Sequence, residues 1–240
     1  MMPRWTRCFA SVYGCPMATF AFIHGAGDVG WYWHLVEAEL RDRGHDTVAP
    51  DLPIEDEDAG LSEYADAVVE SIGDRRDVIV VAQSFGGYTA PLVAVRVGAR
   101  LIVLVAGMVP SPGESAEEMF ANTGWQPERL EDSSARSVFY HDVPSDLANA
   151  ALTHERRQSD TPGGEPWPLP AWPDIPTRFV LCSNDRFFPA RWLRPLVRYR
   201  LGIDVDEIES GHCPALSRPV ELAALLERYI AETIPRGSAE

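Results

Sequence analysis

Ser84 stands in VIVVAQSFGGYTAPLVA, residues 78–94, where an apolar run, a small-residue turn and a helical pattern follow one another. A hydroxyl carried on a sharp strand-to-helix turn projects clear of a sheet, and small neighbours let the strained backbone pack closely. That is the setting of a nucleophile. The first small position of the turn is Ala82 rather than Gly, which adds only a methyl group. The helix start just beyond it puts the Phe85 backbone N–H where an oxyanion would develop. Taken alone, an S-x-G-G turn is also compatible with a serine that merely caps a helix.

A serine hydroxyl is inert at neutral pH without a base, and the base needs a carboxylate that stabilises its imidazolium. Among six His, His212 lies in IESGHCPALSRP, directly after the last expected strand and before the last helical pattern, where a loop can carry it to the ends of the central strands. His34 falls within a helical pattern and His45 between a helix and a strand. His141 and His154 fall in an irregular stretch, with His141 a candidate substrate contact. For the carboxylate, CSNDRFFP places Asp185 after the strand at 177–181, so the chain order is Ser, Asp, His. No carboxylate closely follows the strand at 101–105, where AGMVPSPG intervenes; Asn184, Asp204 and Glu209 stay open as fallbacks.

A second strand, turn and helix is written in FAFIHGAGDVGWYWHLVEAEL, residues 20–40. The open H-G-A-G turn lets a backbone N–H, with Ala26 the candidate, face the same point as the Phe85 N–H, giving the two donors of an oxyanion hole. His24 is read as fixing this loop. G-A-G-D-V-G also has the outline of a dinucleotide fingerprint, but Asp46 and Asp51 meet its acidic position only loosely.

These residues need a frame that brings strand ends together. Strands are expected over residues 19–23, 47–49, 78–82, 101–105, 177–181 and 204–208, and helices over 31–43, 61–72, 85–97, 189–199 and 219–234. Such alternation is the sign of an α/β fold: a mostly parallel, doubly wound sheet of about six strands with helices on both faces. At 240 residues one domain with one sizeable core is expected. The expected division is a core over 17–109 and 177–240, a lid over 110–176, and residues 1–16 as a disordered extension with Met17 as an alternative start. The lid is read from a long polar, Pro-rich stretch ending in TPGGEPWPLPAWPDIP. Its Trp125, Tyr140, Trp167 and Trp172, with Trp31 and Trp33 nearby, are read as an apolar or aromatic acyl pocket. The expected substrate contacts are Trp31, Trp125, Tyr140, His141 and Trp167.

The formal charge is −15, and all 21 basic residues are Arg. With no Lys there is neither Schiff-base chemistry nor a P-loop lysine, and the acidic surface disfavours a nucleic-acid partner. No apolar run reaches membrane-spanning length and the first residues lack a secretory apolar core, so no membrane partner and a cytoplasmic location are expected. Cys8, Cys15, Cys182 and Cys213 are irregularly spaced and form no disulfide framework. The expected partner is a small-molecule substrate, a homodimer is left open, and no metal or organic cofactor is implied.

From about residue 18 to 234 the chain resembles the α/β-hydrolase superfamily. HGAGDVGWYWHLVEAEL, AQSFGG and GHCPALSRP resemble its compact branch of plant methylesterases, hydroxynitrile lyases and bacterial relatives. The resemblance implies ester hydrolysis through Ser84, His212 and Asp185. Lyases of the branch carry a hydroxyl residue and a Lys where this chain has Gly25 and Cys213, and dehalogenases and epoxide hydrolases of this fold carry Asp at the position of Ser84. A receptor with little turnover and a lyase stay open as rival readings.

Overall fold

The computed structural model describes residues 17–233. Six strands are found there: β1 (Thr19–Ile23), β2 (Asp46–Val48), β3 (Val78–Gln83), β4 (Leu101–Val105), β5 (Thr177–Cys182) and β6 (Asp206–Ile208). They form one sheet in the order β2-β1-β3-β4-β5-β6, parallel at every pairing. β1, β3 and β4 are buried along their whole lengths. Both faces of such strands are covered, so they read in sequence as unbroken apolar runs rather than as alternation. The alternation appears in packing instead: Ala21, Ile23, Val80 and Ala82 enter one core, Phe20, Phe22, Ile79 and Val81 the other.

Helices α1 (His34–Asp42), α2 (Leu61–Ile72) and α3 (Gly86–Val97) alternate with the first four strands. The helix expected over 31–43 is divided, because a 3-10 turn (Gly30–Trp33) precedes α1 and no side chain caps the α-helical start. Helices α4 (Ala116–Thr123), α5 (Ala135–Phe139), α6 (Ser145–His154) and α7 (Thr161–Gly164) lie between β4 and β5. Then follow α8 (Ala190–Leu201), α9 (Pro214–Ser217) and α10 (Pro219–Thr233). α2, α3 and α8 cover the first core, and α1, α9 and α10 the second. The expected extension at 1–16, with Cys8 and Cys15, lies outside the described residues; Cys182 and Cys213 are buried free thiols.

Two features position the site. The chain runs from β1 outward to β2 and returns to the other side of β1 as β3, so the strand order reverses between β1 and β3. In parallel sheets the crevice at the carboxyl ends of such a pair receives ligands. Second, residues 110–176 contain four helices and no strand, and are tied to the core at several points. Arg200 of α8 forms a buried ion pair with Glu114 (2.5 Å) and also donates to the Val109 carbonyl. Gln158 donates to the Tyr64 hydroxyl (2.8 Å), and a Glu165 oxygen accepts the Leu61 N–H at the start of α2 (2.8 Å). No helix among the described residues is long and apolar enough to cross a membrane.

Candidate active site

Ser84 follows β3 directly and has φ of 51°, left-handed backbone that a residue with a Cβ adopts only when its surroundings impose it. Its carbonyl accepts the Gly87 N–H (3.1 Å) and the Met108 N–H (2.9 Å), and its own N–H donates to Val105 (3.3 Å). The two glycines after it are required by close approach. A Cβ on Gly86 would press on the His24 carbonyl, and one on Gly87 would run into the Met108 carbonyl. The turn therefore sits wedged between the loops after β1 and β4, with Ala82 fully buried beneath it.

His212 lies between β6 and α9 and is 4% exposed. Its Nδ1 is 2.7 Å from Asp185 Oδ2, and since a carboxylate only accepts, Nδ1 carries the proton. The other Asp185 oxygen accepts the backbone N–H groups of Phe187 (2.8 Å) and Phe188 (2.9 Å), so three donors fix the carboxylate. Phe139, Phe187 and Phe188 surround the imidazole, with ring centroids 5.3, 5.6 and 5.3 Å away. With Nδ1 committed, Nε2 is the nitrogen left for proton transfer. The loop carrying His212 is held in turn by Gln83, which donates to the His212 carbonyl (3.2 Å), and by Asp142, which accepts the Gly211 N–H (2.7 Å).

The loop after β1 is ordered by His24, whose Nε2 accepts the Leu52 N–H (3.1 Å). Burial lowers its pKa to about 4, against the opposing pull of its bond to Gly25, so it is neutral at physiological pH. Gly25 is pressed against Gln83 and Ser84, where a Cβ would collide with the Gln83 amide oxygen. Ala26 follows, and borders the same space as Ser84.

Ser84 and Ala26 border two cavities. One, of about 250 Å³, also contains His212, Asp28, Tyr140, Glu155 and Arg156. The other, of about 210 Å³, has an apolar wall of Phe85, Met108, Phe120 and Phe187 and is also bordered by Glu117, Gln158 and Asp160. Of the expected substrate contacts only Tyr140 borders either space. Trp167 is 1% exposed and donates its indole N–H to the Tyr88 carbonyl, as a core residue does. Trp125 donates likewise to the Phe187 carbonyl and packs on the Phe120 ring, behind the cavity wall. Trp31 is sandwiched between His34 and His154, each ring 4.4 Å away. His141 is bonded through Nε2 to the Asn184 carbonyl (3.1 Å), next to Asp185, and borders neither cavity. Trp125, Trp167 and His141 each commit a ring nitrogen to a backbone carbonyl, and the Trp31 ring is held by stacking.

Sequence reasoning missed Gln83, Asp28 and Phe187, although all three stand inside the motifs it singled out. Asp28 is 8% exposed, and Oδ1 accepts the Val29 N–H (3.0 Å). Burial raises its carboxyl to about 7; Glu155 pushes the same way, while the Val29 amide and His212 oppose. Cys213 also borders the His212 cavity, but burial holds its thiol well above the usual range, so it is unreactive at neutral pH.

The sequence profile described as the Alpha/beta hydrolase family matches residues 20–225. The chain is 25% identical to Methylesterase 7 of Arabidopsis thaliana over 86% of its own length and 94% of that protein's. It is 29% identical to Probable esterase PIR7A of Oryza sativa subsp. indica, over 89% of this chain and 97% of the relative. Its fold is similar to that of a pyrethroid hydrolase from Sphingobium faniae JZ-2, with a TM-score of 0.73, 20% identity, and 89% and 97% of the two chains covered.

Proposed function

The chain belongs to the α/β-hydrolase family, a carboxylic-ester hydrolase by its esterase relatives, and we propose that it cleaves small esters through Ser84, His212 and Asp185. The observation that carries this reading is that His212, paired with the buried Asp185 at 2.7 Å, borders the same cavity as a left-handed Ser84. Ser84 Oγ attacks the ester carbonyl carbon as His212 Nε2 takes its proton, and the Ala26 and Phe85 amides receive the tetrahedral oxyanion. The carbon–oxygen bond to the alcohol breaks, His212 returns the proton to the departing oxygen, and the acyl group stays on Ser84. Water then attacks under the same base, releasing the acid and restoring the serine. Asp185 holds the imidazole tautomer throughout.

The cavity of Phe85, Met108, Phe120 and Phe187 supports an apolar acyl group. Residues 110–176 act as the lid over this crevice, since Tyr140, Glu155 and Arg156 come from them. Turnover of p-nitrophenyl butanoate, with fluorophosphonate labelling of Ser84, tests the reading. Ser84→Ala should abolish labelling and His212→Ala should reduce turnover by about 10³-fold or more. Full hydrolysis by Ser84→Ala would refute it.

A further inference from the structure

The two cavities beside Ser84 differ in chemistry. His212 borders only the first, with the buried Asp28 and with Tyr140, Glu155 and Arg156, while the second has an apolar wall of Phe85, Met108, Phe120 and Phe187, and its carboxylates, Glu117 and Asp160, are exposed. If Ser84 is the nucleophile and His212 protonates the departing oxygen, the alcohol half of the ester lies on the side of His212 and the acyl half on the side of Phe85. The alcohol therefore enters the space that holds the carboxyls of Asp28 and Glu155. Asp28 is more than nine-tenths buried, and its Oδ2 accepts from no donor among the described residues. An ionised carboxylate in that position needs a donor, and the neighbours do not supply one. The Tyr140 hydroxyl donates to Glu155 Oε1 (2.9 Å), and the Arg156 guanidinium donates to Asp51 Oδ2 (3.0 Å).

A neutral hydroxyl would satisfy one lone pair of Asp28. A cation would also neutralise the charge that burial and Glu155 make costly there, and a chain of net charge −15 attracts cations from a distance. We infer that Asp28 is a specificity residue and that the preferred substrates are esters of amino alcohols, their protonated amine seated against Asp28 with Glu155 at the cavity mouth. This rests on the serine-hydrolase reading above and adds to it the class of the leaving group.

The test compares dimethylaminoethyl butanoate with isopentyl butanoate, which has the same shape with CH in place of the protonated nitrogen. At neutral pH the kcat/KM of the amine ester should exceed that of the isopentyl ester by about tenfold or more, the worth of a charge-assisted hydrogen bond. In Asp28→Asn that ratio should fall close to one. In Glu155→Gln, at an exposed position, it should fall by about twofold. A measurement on the unaltered enzyme covers failure of Asp28→Asn to fold: dimethylaminoethanol should inhibit isopentyl butanoate hydrolysis at about tenfold lower concentration than isopentanol does. A wild-type ratio of one or less, a ratio kept in Asp28→Asn, or equal inhibition by the two alcohols overturns the inference. So does turnover of p-nitrophenyl butanoate with neither alkyl ester cleaved. Absence of turnover on every ester, p-nitrophenyl butanoate included, with no labelling of Ser84, instead removes the hydrolase reading on which it stands.

Discussion

Asp185→Asn would leave a side chain of the same shape with an oxygen for the Phe187 and Phe188 amides, while its amide group can hold His212 in the wrong tautomer. The expected outcome is a fall in kcat of about 10³–10⁴ with little change in thermal stability, checked by steady-state kinetics beside a melting curve. Equal loss of both would mean that the contact is structural. The placement of Ser84, His212 and Asp185 was legible in sequence because each follows an expected strand, and strand ends in a parallel sheet converge. The placement of the tryptophans was not. An indole in a Pro-rich stretch looks the same whether it faces ligand or core, and what decides it for Trp125 and Trp167 is a carbonyl distant in sequence that takes the ring N–H. Asp28 failed for the opposite reason: it was in view, but nothing in a glycine-rich loop tells which way a side chain points.

At the scale of elements, the turn after β3 and the anchoring of residues 110–176 carry the demanding contacts. In Gly87→Ala the new methyl meets the Met108 backbone, which cannot swing aside as a side chain would. A loss of about 1–3 kcal/mol is expected, with a larger fractional loss of kcat because the Met108 N–H donates to the Ser84 carbonyl; urea unfolding and kinetics check the two parts. Arg200→Ala would leave Glu114 buried without its partner, at a cost of about 3–5 kcal/mol. Replacing both, Arg200→Met with Glu114→Leu, should recover most of that stability, since the penalty is the unpaired charge and not the missing attraction. A double variant as unstable as Arg200→Ala would count against this account. The strands were readable as apolar runs, and β2 and β6 differ from expectation by only one or two residues at their ends. The division at Gly30–Trp33 was not readable, because helical periodicity does not separate a 3-10 turn from the first turn of an α-helix.

For the whole molecule, two buried groups on one loop make opposing contributions to acid stability. His24 is lowered to about 4 in the folded state from an ordinary 6.5, so the stability tied to its neutral form is fully present above about pH 6.5 and is lost as pH falls toward 4. Asp28 is raised to about 7 from 3.8, so the stability tied to its protonated form is fully present below about pH 4 and is lost as pH rises through 7. Between those limits unfolding takes up a proton at His24 and releases one at Asp28, and their slopes of about 1.4 kcal/mol per pH unit cancel. Asp28→Asn removes one side of that balance. The variant should be close to wild type in stability near pH 4 and gain steadily on it up to about pH 7, reaching on the order of 3–4 kcal/mol, or about 10 °C in melting temperature. Urea unfolding of both proteins across that range measures the difference directly, with all shared titrations subtracted. A difference that does not change with pH would show that the Asp28 carboxyl is not perturbed by burial. If it does grow, the enzyme keeps an acid destabilised near neutral pH in the cavity that Ser84 borders, as expected of a group whose partner arrives with the substrate.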